Sequence, residues 1–321
     1  MGTYKGYIAS YSEGNKQGIY EYEINEKGIF SNLHLLFPLQ QAKYLSYRDK
    51  CLVSSVEVNN QSGVVLFCGE KMQKEMLLPE KSTSCYITQD KNKIYSANYH
   101  EGSVTIYEKI NNELSCVKEL HVRENAGCHQ VILYKNYFLV PCLLLDRILV
   151  FDATSTEQVK SIHFPIGSGP RHGVFNQSQN ILYVVSELSN EVFKYQVNNL
   201  EFTLIERLSL LHKEQCGESA GIALSQDERF LYISIRTLDQ MVVLSLENEM
   251  KIIQMRSCGG RHPRHFTLVE KQHCLLVANR YSNNIVSIEI NPNDGLLGNI
   301  VSECFVQEPL CVIESNEDTY E

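Results

Sequence analysis

The stretch LYVVSELSNEVFKYQV at residues 182–197 is typical of two β-strands joined by a short polar turn, and it decides the fold because it recurs. The other copies are YIASYSEGNKQGIYEYEI (7–24), LVSSVEVNNQSGVVLF (52–67), IYSANYHEGSVTIYEK (94–109), FLVPCLLLDRILVFD (138–152), LYISIRTLDQMVVLSL (231–246) and LLVANRYSNNIVSIEI (275–290). Successive copies start 42 to 49 residues apart, and a period of about 40 to 50 residues built from short strands is typical of β-propellers. Seven copies predict seven blades.

Each copy is flanked by further strand signals, which predict four-stranded antiparallel blades. A short apolar run precedes most copies, such as HGVFNQSQN before Ile181, and a β-rich run follows, such as FTLIERLSL at 202–210. The first copy lacks a preceding run, whereas PLCVIES at 309–315 has the pattern of an innermost strand with no copy after it. We therefore expect the C-terminal strand to complete the blade that begins at Tyr7 and to close the ring. The predicted fold is all-β, a single seven-bladed β-propeller domain over residues 1–321.

Composition favours a globular protein whose ligand is a small molecule. Hydrophobic residues make up 43% and charged residues 21% of the chain, which is enough apolar surface for a large core. The formal net charge of −9 repels phosphate backbones and anionic lipids, so neither a nucleic-acid nor a membrane partner is expected. The N-terminus lacks the basic and apolar regions of a signal peptide, and no long apolar stretch occurs, so we expect a cytoplasmic location.

The eleven cysteines are scattered singly, without a CxxC pair or the histidine spacing of a metal finger. We expect most of them to be buried and reduced, with neither a structural metal nor a disulfide framework. The GxSxG, HExxH, P-loop and GxGxxG-helix motifs are absent, so serine-nucleophile, zinc-hydrolase and nucleotide-cofactor mechanisms lose support and no cofactor is expected. The chain has no tryptophan, so it cannot carry the Trp-Asp signature of WD40 scaffolds.

Charged and imidazole side chains are predicted to gather at one mouth of the central channel. In an antiparallel blade, the start of the first strand and the end of the second lie on the same face of the ring. The predicted innermost strands start near His129, Arg171, His172, His262, Arg264 and His265, and the second strands end near Glu57, Asn98, Glu187, Arg236 and Arg280. We expect all of these side chains to lie around the same opening.

This set of charges has two interpretations. Pairs such as Arg171 with Glu187 could simply satisfy one another as structural ion pairs. Four arginines against two glutamates on one face indicate instead an anion site, because guanidinium groups bind carboxylate or phosphate bidentately. Single histidines in strands, such as His129 and His172, are typical of hydrogen-bonded core residues. Beside Glu187 they become candidates for proton transfer, with an arginine stabilising the developing oxyanion.

Six segments carry a resemblance to a known family: SANYHEGSV (96–104), VPCLLLDRILVF (140–151), GPRHGVF (169–175), YVVSELSNEV (183–192), HPRHFTL (262–268) and VANRYSNNIV (277–286). In order and spacing they resemble the hallmark segments of the seven-bladed lactonase family, and the similarity covers essentially the whole chain. That family includes bacterial 6-phosphogluconolactonases and, more distantly, fungal 3-carboxy-cis,cis-muconate lactonizing enzymes. The GPRH segment followed by Glu187 is the most specific match.

The resemblance implies that His129, Arg171, Glu187 and Arg236 occupy the catalytic positions. In this scheme Glu187 or His129 activates water against a lactone carbonyl, while Arg171 and Arg236 hold the oxyanion and the phosphate or carboxylate of the substrate, without a metal. Substrate-binding roles are predicted for five further residues at the mouth of the channel: Glu57, Asn98, His172, Arg264 and Arg280.

Four positions depart from the pattern of the family. Gly127 stands where one of two histidines is frequent, Gly221 and Ile235 stand where a polar acid and an asparagine are usual, and Cys142 replaces a frequent aspartate. Because these are lost polar groups, they bear on which acid or sugar is bound.

Three functions remain open from the sequence. The first is hydrolysis of a phosphorylated sugar lactone, expected to be 6-phosphogluconolactone of the oxidative pentose phosphate route, by a monomer or weak homodimer. The second is a carboxymuconate-type cycloisomerase, which needs the same anion clamp and a general acid. The third is a propeller that binds a metabolite or protein without turnover. A protein-binding face should show apolar anchors, whereas the mouth of the channel is predicted to be concave and basic.

Overall fold

The computed structural model describes residues 3–11, 14–111, 113–212 and 215–315. Within these ranges, 28 β-strands form seven four-stranded antiparallel sheets. The helical elements of the same ranges are three single 3-10 turns, at Gly14–Lys16, Leu143–Leu145 and Glu270–Gln272, and none of them has the length or apolar character to cross a bilayer. The predicted all-β, seven-bladed architecture is therefore confirmed.

The four strands of every blade follow one another outward from the central channel. Blade 1 contains β28 (Pro309–Glu314), β1 (Tyr4–Ser10), β2 (Gly18–Ile24) and β3 (Phe30–Pro38). Blade 2 contains β4 (Leu45–Arg48), β5 (Cys51–Val58), β6 (Gln61–Cys68) and β7 (Gln73–Glu80). Blade 3 contains β8 (Tyr86–Gln89), β9 (Lys93–Asn98), β10 (Ser103–Ile110) and β11 (Glu113–His121). Blade 4 contains β12 (Ile132–Tyr134), β13 (Tyr137–Cys142), β14 (Arg147–Asp152) and β15 (Gln158–His163).

The remaining three blades repeat this order. Blade 5 contains β16 (Pro170–Phe175), β17 (Ile181–Ser186), β18 (Glu191–Asn198) and β19 (Glu201–Ser209). Blade 6 contains β20 (Ser219–Leu224), β21 (Phe230–Ile235), β22 (Gln240–Ser245) and β23 (Lys251–Ser257). Blade 7 contains β24 (Pro263–Val269), β25 (Cys274–Asn279), β26 (Asn284–Ile290) and β27 (Leu297–Phe305).

The core lies between neighbouring blades, and the sequence of each strand reflects its distance from the axis. The six residues of β21, FLYISI, are all buried because blades pack against both faces of this strand. The outer strand β19 instead consists of exposed residues with a few half-buried ones and has no fully buried residue. A middle strand therefore appears in the sequence as a continuous apolar run, whereas an outer strand shows only a weak signal.

The C-terminal strand closes the ring as predicted. β28 pairs antiparallel with β1, and Ile8 lies opposite Val312 in this register. Both side chains are completely buried. The Tyr22 hydroxyl of β2 donates a hydrogen bond to the Ile313 carbonyl, with an O···O distance of 3.1 Å. Blade 1 is thus built from both ends of the chain.

One expectation about the cysteines is wrong. The structure joins Cys51 and Cys68 in a disulfide, because these residues lie directly opposite each other at the start of β5 and the end of β6. Cys51 and Cys68 are 17 positions apart in sequence, a separation that matches no cysteine motif. Only the pairing of β5 with β6 brings them together. The other nine cysteines are free, as expected, although Cys116 and Cys216 are exposed rather than buried.

Replacing Ile8 with alanine is expected to lower the free energy of unfolding by about 2–5 kcal/mol, because the substitution leaves a cavity where β1 meets β28. Urea denaturation measures this loss. The matched control is Ile110→Ala, since Ile110 is 55% exposed and its truncation should change stability by about 0.5 kcal/mol or less. Similar losses of unfolding free energy in the two variants would contradict the conclusion that packing between β1 and β28 stabilises the ring.

Candidate active site

The strand register places equivalent residues of all blades around one mouth of the channel. Pro170 lies opposite Ser186, and Pro263 lies opposite Asn279. A β-bulge follows in each case, a feature that is common next to active sites. The corresponding pairs of the other blades define two rings of residues. Each residue of the inner ring directly follows the residue at which its innermost strand begins to pair. The inner ring contains Lys43, Cys85, His129, Arg171, Ala220, Arg264 and Leu310.

The second ring, which we call the rim, follows the last paired residue of the second strand. It contains Tyr11, Glu57, Tyr99, Leu143, Glu187, Arg236 and Arg280. Four of the five residues predicted at these strand ends therefore lie at the rim. Asn98 does not, because it is level with Ser186 and lies one residue before the rim position, which Tyr99 occupies.

The amide of Asn98 serves its own blade. Its Nδ2 donates to Glu101 Oε1 at 3.0 Å, and its Oδ1 accepts from the Ser82 hydroxyl at 3.1 Å. Its side chain is 1% exposed. These hydrogen bonds of Asn98 hold a loop of blade 3 in place. The predicted contact of Asn98 with substrate stays a prediction.

Glu187 is the centre of an ion-pair cluster between blades 5 and 6. Its Oε2 lies 2.7 Å from Arg171 Nε and 2.9 Å from Arg236 Nη2. The Arg171 side chain is only 2% exposed, and its Nη1 donates to the Ala220 carbonyl at 2.7 Å. Arg236 Nη2 also lies 3.1 Å from Glu218 Oε2. Both arginines predicted to clamp the substrate are therefore already paired with carboxylates of the protein.

Two histidines adjoin this cluster. His129 Nδ1 lies 3.2 Å from His172 Nε2, and both side chains are buried. Burial, followed by the charge of Arg171, holds the pKa of each imidazole well below its usual value of 6.5. Both rings are consequently neutral at pH 7. Among the described residues, none forms a hydrogen bond with His129 Nε2, so this nitrogen can bind water.

Blades 7 and 2 carry further cations of the mouth. Arg280 Nη2 pairs with Glu308 Oε1 at 3.2 Å. Arg264 has no carboxylate within 4 Å in the described part of the chain, and burial together with Arg236 lowers its pKa. Lys43 occupies the equivalent inner-ring position of blade 2. Glu57, the rim residue of that blade, accepts a hydrogen bond from the Ser62 hydroxyl at 3.4 Å.

An aromatic floor lies just below the inner ring, and it consists of Tyr44, Tyr86, His172 and His265. The Tyr44 hydroxyl is 3.1 Å from His265 Nε2. The ring centroids of Tyr44 and Tyr86 are 4.4 Å apart, and those of Tyr86 and His172 are 5.5 Å apart. Because these contacts join blade 7 to blade 2 and blade 3 to blade 5, which are not neighbours, they form at the axis of the ring.

Sequence reasoning missed several of these residues. Glu218 and Glu308 each directly precede an innermost strand, at the position that Gly169 and His262 occupy in blades 5 and 7. The repeat therefore places them at the mouth, but it gave no reason to expect an acid there, because the residue type at this position varies between blades. Lys43 and Tyr44 carried a usable signal, since they precede the second copy at nearly the offset by which Arg171 and His172 precede the fifth. The floor and the cation of blade 2 could therefore have been found by aligning the seven copies.

The departures from the family pattern lie in apolar surroundings. A Cβ atom on Gly221 would be 2.8 Å from the Phe266 ring, which leaves no room for an acidic side chain. Ile235 is fully buried in the core between blades 5 and 6. The Sγ atoms of Cys142 and Cys128 are 4.0 Å apart across the strand pair. Gly127 has a φ of +70°, a conformation that favours glycine.

The arrangement has the parts needed for acyl transfer. A neutral imidazole can accept a proton from water, and guanidinium groups held in a poorly hydrated site can stabilise an oxyanion. Among the residues that the structure describes, no three histidine, cysteine or acidic side chains are grouped so that they could hold a metal ion.

Comparison with known proteins gives a consistent result. The family model described as "Lactonase, 7-bladed beta-propeller" matches residues 5–314. A 6-phosphogluconolactonase of Bacillus subtilis is 28% identical over 97% of this chain and 98% of its own length. A solved Lactobacillus plantarum protein superposes with a TM-score of 0.89 at 22% identity, over 98% of this chain and 99% of its own. A periplasmic gluconolactonase of Pseudomonas aeruginosa has a TM-score of 0.87 at 19% identity, with the same coverage.

Replacing Glu187 with glutamine is expected to lower the free energy of unfolding by about 2–4 kcal/mol, because Arg171 and Arg236 then lose their shared carboxylate. Urea denaturation measures the change. In the control Glu308→Gln, the carboxylate and Arg280 are each about one third exposed, so the loss should be below about 1 kcal/mol. A smaller loss for Glu187→Gln than for the control would show that the buried cluster contributes no stability.

Proposed function

This chain belongs to the seven-bladed β-propeller lactonase family, and from that premise we propose that it hydrolyses a sugar lactone, with 6-phosphogluconolactone as its substrate. The observation that carries this proposal is the cluster in which Glu187, two arginines and the His129–His172 pair meet at one mouth of the channel. The Bacillus subtilis relative, similar over nearly the full length, supports the choice of substrate.

In the proposed mechanism, His129 is the general base. In the tautomer with its proton on Nδ1, His129 donates to His172 Nε2 and presents the lone pair of its own Nε2 to water. Water transfers a proton to Nε2 as its oxygen bonds to the lactone carbonyl carbon. Arg236 and Arg171 stabilise the oxyanion of the tetrahedral intermediate. Arg171 does so through Nη2, which forms no hydrogen bond with a described residue. The bond to the ring oxygen then breaks, the imidazolium returns the proton to that oxygen, and a hydroxy acid is released.

Glu187 has a positioning role in this scheme, since its Oε2 orients both arginines. Its Oε1 forms no hydrogen bond with a described residue, so Glu187 is the alternative base. A lactonizing reaction would use the same groups in reverse, with protonated His129 as the acid. The low pKa of His129 favours the hydrolytic direction, because a neutral imidazole is already the form that accepts a proton.

Three further predictions from the sequence stay predictions. They are the monomeric or weakly dimeric state, the small anionic lactone as partner and the cytoplasmic location. The last of these needs a direct test, because one structural relative is described as periplasmic and disulfides such as Cys51–Cys68 are favoured in oxidising compartments.

Purified protein is expected to hydrolyse freshly generated 6-phosphogluconolactone well above the spontaneous rate. His129→Asn should lower kcat about 100-fold or more, the usual contribution of a general base, and Glu187→Gln should also lower it by disordering both arginines. The matched control is Glu247→Gln, which alters a side chain that is 62% exposed and should leave kcat unchanged. Wild-type turnover equal to spontaneous hydrolysis would contradict the proposed reaction.

The pH dependence follows from the neutral base. Protonation of His129 removes the lone pair that accepts the proton, so kcat/KM should fall on the acid side. Because the pKa of His129 is well below 6.5, we expect kcat/KM to be constant between about pH 6.5 and 7.5 and to decline only at lower pH. Initial rates corrected for spontaneous hydrolysis measure this profile. Half-maximal kcat/KM at or above pH 6.5 would argue against His129 as the base.

A further inference from the structure

The cations around the mouth differ in whether a carboxylate already neutralises them. Arg171 and Arg236 share Glu187, and Arg280 pairs with Glu308. In the described ranges, Lys43 and Arg264 have no carboxylate within 4 Å. Both are partly buried at equivalent inner-ring positions, where an unpaired charge is costly. Within those ranges they are therefore the two mouth cations available to a ligand.

The fold holds these two residues at a fixed separation. Lys43 belongs to blade 2 and Arg264 to blade 7, so only blade 1 lies between them. The residues that follow them, Tyr44 and His265, contact each other directly, with 3.1 Å between Tyr44 Oη and His265 Nε2. The intervening inner-ring residue of blade 1 is Leu310, which is apolar and 5% exposed. No polar side chain of blade 1 in the inner ring therefore competes for the two cations.

The surroundings of Lys43 also favour an anion. Lys43 Nζ lies 5.5 Å from the centroid of the Tyr11 ring, and the guanidinium carbon of Arg280 lies 5.4 Å from the same centroid. Burial lowers the pKa of Lys43, and the charges of Arg264 and Arg280 act in the same direction, against opposing effects of Cys85 and Glu57. A bound anion would relieve this repulsion.

We infer that Lys43 and Arg264 form the subsite that binds the phosphate of the substrate, and that this subsite selects a phosphorylated over an unphosphorylated lactone. The identity of the substrate rests on the proposed function above. In 6-phosphogluconolactone the carbonyl carbon and the carbon that carries the phosphorylated CH2 group flank the same ring oxygen, so the phosphate and the reacting carbonyl are only a few bonds apart. Arg264 of blade 7 is near enough to Arg236 of blade 6 and to His129 of blade 4 for its charge to affect both. A phosphate held by Lys43 and Arg264 would therefore keep the carbonyl within reach of His129 and Arg236. Arg171 and Arg236, already paired with Glu187, are left to the oxyanion.

The test compares kcat/KM for 6-phosphogluconolactone with kcat/KM for unphosphorylated gluconolactone. Lys43→Met should reduce the ratio of the two values about 10- to 100-fold, the size of one lost charge-assisted hydrogen bond. Lys43→Arg keeps the charge and should retain most of the ratio. Lys74→Met, on the exposed face of β7 in the same blade, is the matched control and should leave the ratio unchanged. An unchanged ratio in Lys43→Met would overturn the inference.

Direct binding separates this inference from the proposed reaction. Calorimetry with 6-phosphogluconate and gluconate should show tighter binding of the phosphorylated acid by wild type, and Lys43→Met and Arg264→Gln should each reduce that difference. A wild type that hydrolyses neither lactone but binds 6-phosphogluconate in a Lys43-dependent way would reject the reaction and support the subsite. Hydrolysis of the phosphorylated lactone together with binding that does not depend on Lys43 or Arg264 would reject the subsite alone.

Discussion

The antiparallel pairing of β28 with β1 is the constraint on which the rest of the structure depends. Apart from side-chain contacts at the axis, each blade packs on its two neighbours, so the geometry of the channel is defined only when the ring is closed. The contact between Tyr44 and His265, 221 residues apart in sequence, exists only in the closed ring. The separation between Lys43 and Arg264 is set in the same way, because blade 1 stands between their blades.

A second constraint is the cost of burying charge. Removing Arg171 and Glu187 from water costs several kcal/mol for each ion, and their attraction offsets this only with favourable geometry. Arg171 Nε and Arg236 Nη2 lie 2.7 and 2.9 Å from Oε2 of Glu187, and these short distances supply the attraction. Apolar residues of similar size would often be equally stable at such a position, so the cluster fits a functional site better than a purely structural one. Burial, reinforced by the same positive surroundings, keeps the pKa of His129 and of His172 low, so both rings are neutral.

The pairing of charges divides the mouth into two parts with different properties. On blades 5 and 6, Arg171 and Arg236 have carboxylate partners, and with the histidines of blades 4 and 5 their geometry suits proton transfer and oxyanion stabilisation. On blades 7 and 2, Arg264 and Lys43 have none among the described residues. The departures at Gly221 and Ile235 belong to the packed interior of blade 6. They therefore leave the charged cluster itself intact.

The sequence by itself determined the number of blades, the closing strand and most of the charged residues at the mouth. These features follow from a local pattern repeated at a nearly constant spacing, since strand alternation and repeat offset fix which residues reach the same face. Only the tertiary structure decided which charges neutralise each other, because the position of Glu218 and Glu308 holds Gly169 and His262 in other blades and the repeat does not specify which side chains pair. The Cys51–Cys68 disulfide, the role of Asn98 within its own blade and the Tyr44–His265 contact likewise depend on distances between chain segments. Such distances are set by packing around the closed ring and leave no periodic trace in the sequence.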